Sequence, residues 1–444
     1  MPRVICGSAT PIGRRGSCRR SSIVRRGAPT GSARGTATTK SSCGSAGCRG
    51  SRRPKACGGT SRAAGRSFNM LRAAIVGCGK IADAHASQIR RIKGSEIVGV
   101  CDREPLMAKQ LCERFSVARS FSDVDDLLDS AHPDVVHITT PPASHFDIAR
   151  ACLDRGCHVY IEKPFTIRAG EAEALVALAA SNDLKLTAGH DDQFSHVARR
   201  MRALVRSGYL GGPALHVEST YCYDLSEPGY ARALLGDRQH WVRRLPGGLL
   251  QNVISHGIAR IAEFFTTDAP QVIAHGFVSP PLRRMGERKI VDELRVIVSE
   301  EDRLTAYFTF SSQMRPSVHE LRVYGPRNGL LLDQDHEILL RLRGRRFKSY
   351  GEKFFPPLLF ARQHLSNLVT NAKTFLARDF HMKSGMKYLI EAFYQSILHG
   401  TAVPIPYAEI LRTARIMDAI FDQLGDATIH RPVFTRERRA YGHV

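Results

Sequence analysis

The sequence predicts an α/β fold in which a mostly parallel, doubly wound sheet is followed by a second, α+β domain with long antiparallel strands. Three observations predict it. Between Met70 and about residue 195, short apolar strand-like runs alternate with helical segments, the pattern of a parallel sheet covered on both faces. Beyond about residue 210 the runs read as longer strands with turns between them, which implies a separate antiparallel sheet. The chain's 444 residues also exceed what a single core ordinarily organises.

Residues 1–69 hold 15 Lys and Arg, no Asp or Glu, and almost no apolar periodicity. Such a segment buries too little surface to offset its ordering entropy, so a disordered basic leader is predicted. The twin arginines Arg14-Arg15 and Arg25-Arg26 precede no apolar stretch and give no export signal. The composition also resembles a transit peptide, and a start-site artefact is a further reading, because "MLRAAIVGCGK" opens directly on a strand at Met70. With the leader set apart, the net charge of +22 falls to 49 basic side chains against 42 acidic. The mildly basic body says little about partners and a nucleic-acid partner is not expected, although a tail that binds nucleic acid or an acidic surface stays open for the leader. No run approaches the ~18 apolar residues of a membrane helix. Six of the eleven cysteines lie in the body and none forms C-x-x-C, which suits buried, reduced thiols in a cytoplasmic protein.

In the first half, strands are predicted at "RAAIVG", "EIVGVCD", "DVVHITT", "HVYIEK" and "LKLTAG", with helices at about 81–93, 104–115, 143–155 and 168–181. The first strand–helix junction reads Gly77-Cys78-Gly79-Lys80-Ile81-Ala82, a G-x-G-x-x-A. Gly77 permits a tight turn and Gly79 a close approach of backbone to pyrophosphate, which would rest at the helix start by Lys80 and Ile81. The second strand ends in Asp102, placed for the ribose hydroxyls of NAD; Arg103 leaves NADP open, with NAD favoured. Ligands of open α/β sheets bind beyond the carboxyl ends of the strands. That rule adds Thr139, Thr140, Pro141 and His145 of "ITTPPASH", with a structural Pro-Pro turn as the alternative for His145, and Glu162 and Lys163 of "YIEKPF". A lysine ending a buried strand needs a partner and can have its pKa lowered into a working range.

The second half adds strands at "ALHVESTYCY", "QVIAHGFV", "DELRVIVSEE", "RLTAYFTF", "VHELRVYG" and "GLLLDQDHEILLRLRG", with amphipathic helices at "KYLIEAFYQSILHG" and "YAEILRTARIMDAIFDQLG". Within "GGLLQNVISHGIARIAEFF" the apolar Leu250, Val253, Ile254, Ile258, Ile261 and Phe265 recur at helical spacing. Asn252 and His256, four residues apart, share the opposite face; on this stretch alone that face reads as solvent.

Taken in order, "AAIVGCGKIADAHA", Asp102, "TTPPASHFDIA", "HVYIEKPF" and "PGGLLQNVISHGIARI" resemble the glucose-fructose oxidoreductase/inositol dehydrogenase (Gfo/Idh/MocA) family, from Met70 to about residue 425. The resemblance implies a Rossmann domain over 70–192, then a domain over 193–425 with a large open antiparallel sheet, leaving 426–444 as a tail. It further implies association of like subunits through the open sheet face. The family's E-K-P lysine, catalytic beside the nicotinamide, matches Lys163, and the Lys-Pro bond is commonly cis. Its second motif, an Asp and a His four apart after a Gly-Gly turn, matches His256. The Asp position falls on Asn252, and an amide hydrogen-bonds but does not exchange a proton. Asn252 is accordingly expected to orient substrate, leaving proton transfer to His256.

The implied reaction is hydride transfer between nicotinamide C4 and a secondary alcohol or ketone of a sugar, polyol or nucleotide sugar. His256 is read as the acid/base and Lys163 as its electrostatic or relay partner. The stretch from Tyr221 to Gly248 holds Trp241, four Arg and three Tyr. It suits a sugar bearing phosphate or carboxylate, with Trp241, Asn252, His256 and Lys163 as substrate contacts; a loop packed on its own domain is the alternative. "HDDQFSH" raises a metal through His190, Asp191, Asp192 and His196, but a solvated helix cap is preferred and no metal is expected. Two other functions stay open: a dinucleotide-binding sensor without catalysis, and NAD-assisted elimination of a glycosidic leaving group.

Overall fold

The computed structural model describes residues 70–225, 234–380 and 383–427. The leader and most of the expected tail lie outside these residues, as does the 226–233 portion of the aromatic stretch.

The first half runs β1 (Leu71–Val76), α1 (Lys80–Ile89), β2 (Ser95–Cys101), α2 (Pro105–Phe115), β3 (Ser120–Phe121), α3 (Val124–Ala131), β4 (Val135–Ile138), α4 (His145–Asp154), β5 (His158–Ile161), α5 (Ala169–Ser181) and β6 (Leu186–Ala188). Its six strands pair in the order β3-β2-β1-β4-β5-β6, every pair parallel. The order reverses between β1 and β4, so a crevice opens at the carboxyl ends of those two strands. Two elements go beyond the sequence reading. β3 is too short to show a period, and α3 begins where the Asp123 side chain accepts from the amides of Asp125 and Asp126 at 2.8 and 3.2 Å.

The second half continues through α6 (His196–Arg206), β7 (His216–Cys222), α7 (Gly248–Val253), α8 (Ser255–Ala262), β8 (Gln271–Phe277), α9 (Pro280–Arg284), β9 (Glu293–Glu300), β10 (Leu304–Ser311), β11 (His319–Tyr324), β12 (Asn328–Asp333), β13 (Ile338–Arg343), α10 (Gly351–Leu376), α11 (Ser384–His399) and α12 (Tyr407–Ala427). Seven strands pair in the order β13-β12-β11-β7-β10-β9-β8. The sheet is antiparallel, as expected, except between β7 and β10, which run parallel. "GLLLDQDHEILLRLRG" is not one strand but the hairpin β12–β13, its polar middle forming the turn. The helix α10 was not anticipated, because Pro356 and Pro357 read as a break yet sit inside it.

Two apolar cores result. The first gathers β1, β2, β4, β5 and β6 and also takes Met386, Leu389, Ile390 and Phe393 from α11. The second lies between the inner face of the seven-stranded sheet and α7, α8 and α12. The expected stripe Leu250, Val253, Ile254, Ile258, Ile261 and Phe265 is buried throughout. It is carried by two short helices rather than one, because the backbone breaks at Ile254.

The candidate active site

At the β1 end, Gly77 adopts φ +96°, and a Cβ there would meet the Thr140 backbone nitrogen at 2.6 Å. Only glycine lets the two loops close this tightly. A Cβ on Gly79 would meet nothing within 4 Å, so open space lies above the turn. The helix start behind it carries no side-chain cap, which leaves first-turn N–H groups for an anion. Asp102 fixes the turn from β2: its carboxylate accepts from the Cys78 amide at 2.7 Å and from the Glu104 amide at 2.9 Å. A glycine turn with open space above it, an uncapped helix start and a carboxylate at the next strand end are features that fit a dinucleotide. Lys80, Arg103 and Pro141 are exposed around the crevice. Thr139 is buried and its hydroxyl donates to the Gly77 carbonyl at 2.5 Å, so it ties β4 to the turn.

Two expected cofactor contacts turn out to be internal. His145 is fully buried, with Nε2 at 2.8 Å from the Thr140 carbonyl and Nδ1 at 3.0 Å from that of Pro164. It fastens the loop after β4 to the loop after β5 and offers no nitrogen to a dinucleotide. Glu162 also points inward, 6% exposed; its carboxylate meets His85 Nε2 at 2.8 Å and accepts from the Lys163 amide at 3.0 Å. Burial pushes this carboxyl up, but the hydrogen bond and charge of His85 and the Lys163 ammonium more than reverse that, to about 2. Behind it the chain of contacts runs on through His85 Nδ1 to His137 Nδ1 (2.9 Å) and from His137 Nε2 to the Tyr394 hydroxyl (2.8 Å). Neither His85 nor His137 was singled out in the sequence, where each resembles an ordinary residue on a helix or strand.

Lys163 precedes a cis bond to Pro164 and its ammonium donates to the Asn252 carbonyl at 3.0 Å. Residues distant in sequence therefore meet where α7 gives way to α8. Burial lowers the lysine's pKa, opposed by Glu162, Asp191 and Asp192. His256 is not on a solvent face; its side chain is 11% exposed. The Tyr221 ring stacks 6.4 Å from it, and His190 lies edge-on at 6.1 Å. Burial pushes the His256 imidazole down to about 4 even though Asp192 opposes it. Trp241 packs beside His240 and the second core; no described contact joins it to Lys163 or His256. Arg243 of the same stretch is internal as well, bonded to the Leu234 carbonyl and Glu287.

"HDDQFSH" divides. His196 leaves the group: its Nε2 is 3.0 Å from the Asp379 carbonyl and its ring stacks on Phe380. Asp191 and Asp192 are not a solvated cap either; that task falls to Ser195, which accepts from Ala198 at 3.3 Å. Instead Asp191 Oδ1 stands 3.8 Å from His256 Nε2 and Asp192 Oδ2 stands 3.9 Å from Nδ1. Donor atoms of Asp191, Asp192 and His256 lie within 4.8 Å of one another. The two contacts to the ring are at ion-pair rather than hydrogen-bond distance. Moreover, the Arg260 guanidinium, 3.3 Å from Asp192 Oδ2, already fills the cationic place. The cluster brings two carboxylates, an imidazole and a guanidinium together largely away from solvent. A cavity of about 920 Å³ lies elsewhere, between α6, β13 and α10, lined by Arg200, Arg341, Arg343, Arg346 and Arg362; among the described residues its lining holds no comparable group of buried titratable side chains.

With this geometry in place, known proteins can be compared. Residues 71–190 match the family model for the GFO_IDH_MocA oxidoreductases, an NAD-binding Rossmann fold. Over these residues the chain is similar to that family, and the match is confined to the first sheet and its helices. It is 36% identical over 120 residues to UDP-N-acetylglucosamine 3-dehydrogenase of Acidithiobacillus ferrooxidans, covering 27% of this chain and 37% of that protein. To D-glucoside 3-dehydrogenase of Escherichia coli it is 32% identical over 142 residues, covering 32% and 40%. The match thus spans about two fifths of the length of these relatives. The fold is shared more widely: the WlbA dehydrogenase of Bordetella pertussis, solved with NADH and UDP-GlcNAcA, aligns with TM-score 0.66 at 15% identity over 82% of this chain and 98% of that one.

Proposed function

We propose that the protein is an NAD(P)-dependent oxidoreductase acting on a secondary alcohol or ketone of a sugar, polyol or nucleotide sugar, with a nucleotide sugar or sugar acid as the leading class. The observation that carries this reading is the convergence of Lys163 and the α7–α8 break, by way of the Asn252 carbonyl, beside the dinucleotide-fitting crevice. Bound nicotinamide supplies a hydride acceptor, or a donor in the reverse direction. Gly77, Gly79 and Asp102 are its proposed holders, and the Asp102 carboxylate, which repels a 2′-phosphate, favours NAD. Lys163 holds its ammonium where developing alkoxide charge is stabilised. His256, neutral because it is buried, takes the hydroxyl proton during oxidation. The names of the sugar-acting relatives support the substrate class.

Association through the open sheet belongs to the same proposal. Ile273, Ile297 and Tyr307 are exposed, and they pair directly across β8, β9 and β10 to form an apolar row. The six described cysteines are free and mostly buried, with burial pushing the thiols of Cys78, Cys101 and Cys157 up to about 12. Inert thiols of this kind suit a reducing cytoplasm. No helix among the described residues is long and apolar enough to cross a membrane. The test is the reduced-nicotinamide absorbance when the purified protein and NAD or NADP meet a panel of sugars, polyols, sugar acids and nucleotide sugars. Growth with at least one alcohol is expected; cofactor binding without turnover across the panel would favour a sensor.

A further inference from the structure

The turn after β6 brings two carboxyl groups to the His256 imidazole. We propose that Asp191 is the carboxyl partner of His256 in proton transfer, a role that rests on the dehydrogenase reading above. Two consecutive carboxylates flank the His256 ring, Asp191 on Nε2 and Asp192 on Nδ1, at 3.8 and 3.9 Å. These distances are looser than hydrogen bonds, as such contacts often are before ligands close a site.

The two carboxylates are not equivalent. Asp192 is committed elsewhere: it accepts from Gln334 Nε2 at 2.8 Å and faces Arg260 at 3.3 Å. Burial pushes its carboxyl up, but His256, Arg260 and Gln334 more than reverse this, so it stays ionised and fixes the ring. Asp191 is 8% exposed, and among the described residues its carboxyl has no donor bonded to it and no ion pair beyond His256. Its backbone is held in place, since a Cβ at Gly385 on α11 would collide with the Asp191 carbonyl.

The titratable groups facing Asp191 are Asp192 beside it, Glu162 and Lys163 from the end of β5, Lys383 just before α11, and His256 on α8, with His190 adjacent in sequence. Burial and Asp192 push the carboxyl up to about 7, against the pull of Lys383 and Lys163. Burial meanwhile pushes His256 down to about 4. Near neutrality the exchangeable proton therefore rests on Asp191 and the imidazole is neutral. A bound nicotinamide would supply the hydride acceptor for alcohol oxidation, leaving the hydroxyl proton for the protein's own groups to take up. The proton released by the hydroxyl would be taken up at His256 Nε2, since Nδ1 is buried against Asp192, and shared from that nitrogen with the Asp191 carboxylate 3.8 Å away as the carbonyl is left behind. Ketone reduction runs the same proton outward. Asp191 acts through His256 and is a positioning and proton-holding residue.

The sign of the pH dependence follows. Above pH ~7 the carboxylate is ready to accept, so kcat/KM for oxidation rises through that value; below it the carboxyl is ready to donate, so reduction is favoured. The experiment has two arms. In cofactor-free protein carrying 13C-labelled aspartate, one carboxyl signal, absent from Asp191→Asn, is expected to titrate near 7. In the kinetic arm, Asp191→Asn is expected to lower oxidation by about 10²-fold and to remove the limb near 7, with dinucleotide binding retained, while Asp191→Glu keeps the limb. An Asp191 midpoint at about 4, the ordinary aspartate value, overturns the proposal, as does an unchanged limb in Asp191→Asn. A wild-type protein that turns over nothing removes the dehydrogenase reading and with it the catalytic role, while a midpoint near 7 still assigns the proton to Asp191. The titration is read on wild-type protein, and because Asp191→Glu also removes the labelled aspartate signal, poor folding of Asp191→Asn alone does not leave it unassigned.

Discussion

Glu162 tests how the lysine loop is held. Its buried carboxylate has His85 at 2.8 Å and the Lys163 amide at 3.0 Å, and these partners bring it from 4.5 to about 2. At ~1.4 kcal/mol per pH unit, such a displacement contributes about 3 kcal/mol of native stability. Because the folded value lies below the unfolded one, that stability is fully present above pH ~4.5 and is lost as the pH falls through about 2. Glu162→Gln has nothing to titrate. Urea unfolding of both proteins across this window should therefore show the wild type's advantage shrinking by about 3 kcal/mol on acidification, with a limiting slope of ~1.4 kcal/mol per unit. Other carboxylates titrate in both proteins and cancel in the difference. A gap that stays constant with pH would refute the account of Glu162 as an ionised, histidine-held carboxylate.

Three further outcomes follow from the site. Lys163→Met should leave dinucleotide binding nearly intact while slowing turnover by ~10²-fold or more, measured as ligand-induced fluorescence change against steady-state rate; unchanged turnover removes the lysine from the mechanism. Gly77→Val, which forces a branched side chain into a left-handed turn against Thr140, should lower the melting temperature and abolish NAD binding by calorimetry. Asp102→Ala should weaken NAD more than NADP, narrowing the ratio of their dissociation constants by about tenfold, ~1.4 kcal/mol; a preserved ratio would move the ribose contact elsewhere.

Much of this was legible in the sequence because the signals were local. Strand–helix alternation and the Gly77–Ala82 turn specify the first sheet over a few residues each, and the stripe from Leu250 to Phe265 gave the buried face of α7 and α8. What escaped was decided by long-range meetings. The break at Ile254, where the Asn252 carbonyl accepts from Lys163 89 positions earlier, leaves no trace in helical periodicity. The inward turn of His145 and Glu162 depends on partners from other loops and from α1. Asp191 and Asp192 were visible as a pair of acids, but their burial against His256 was not, since sequence polarity alone argues for solvent. In the same way α10 was hidden by two prolines that mark a break in most helices.

The central claim is that hydride moves between a carbinol carbon and the nicotinamide in a site built on Lys163 and His256. Once an alcohol substrate is found, the most direct test is to label its carbinol carbon with deuterium and analyse the reduced cofactor by mass spectrometry. The account predicts one deuterium per reduced nicotinamide, with transfer lost in Lys163→Met. Reduced cofactor that carries no label, or a product formed while the carbinol deuterium stays in place, would contradict it.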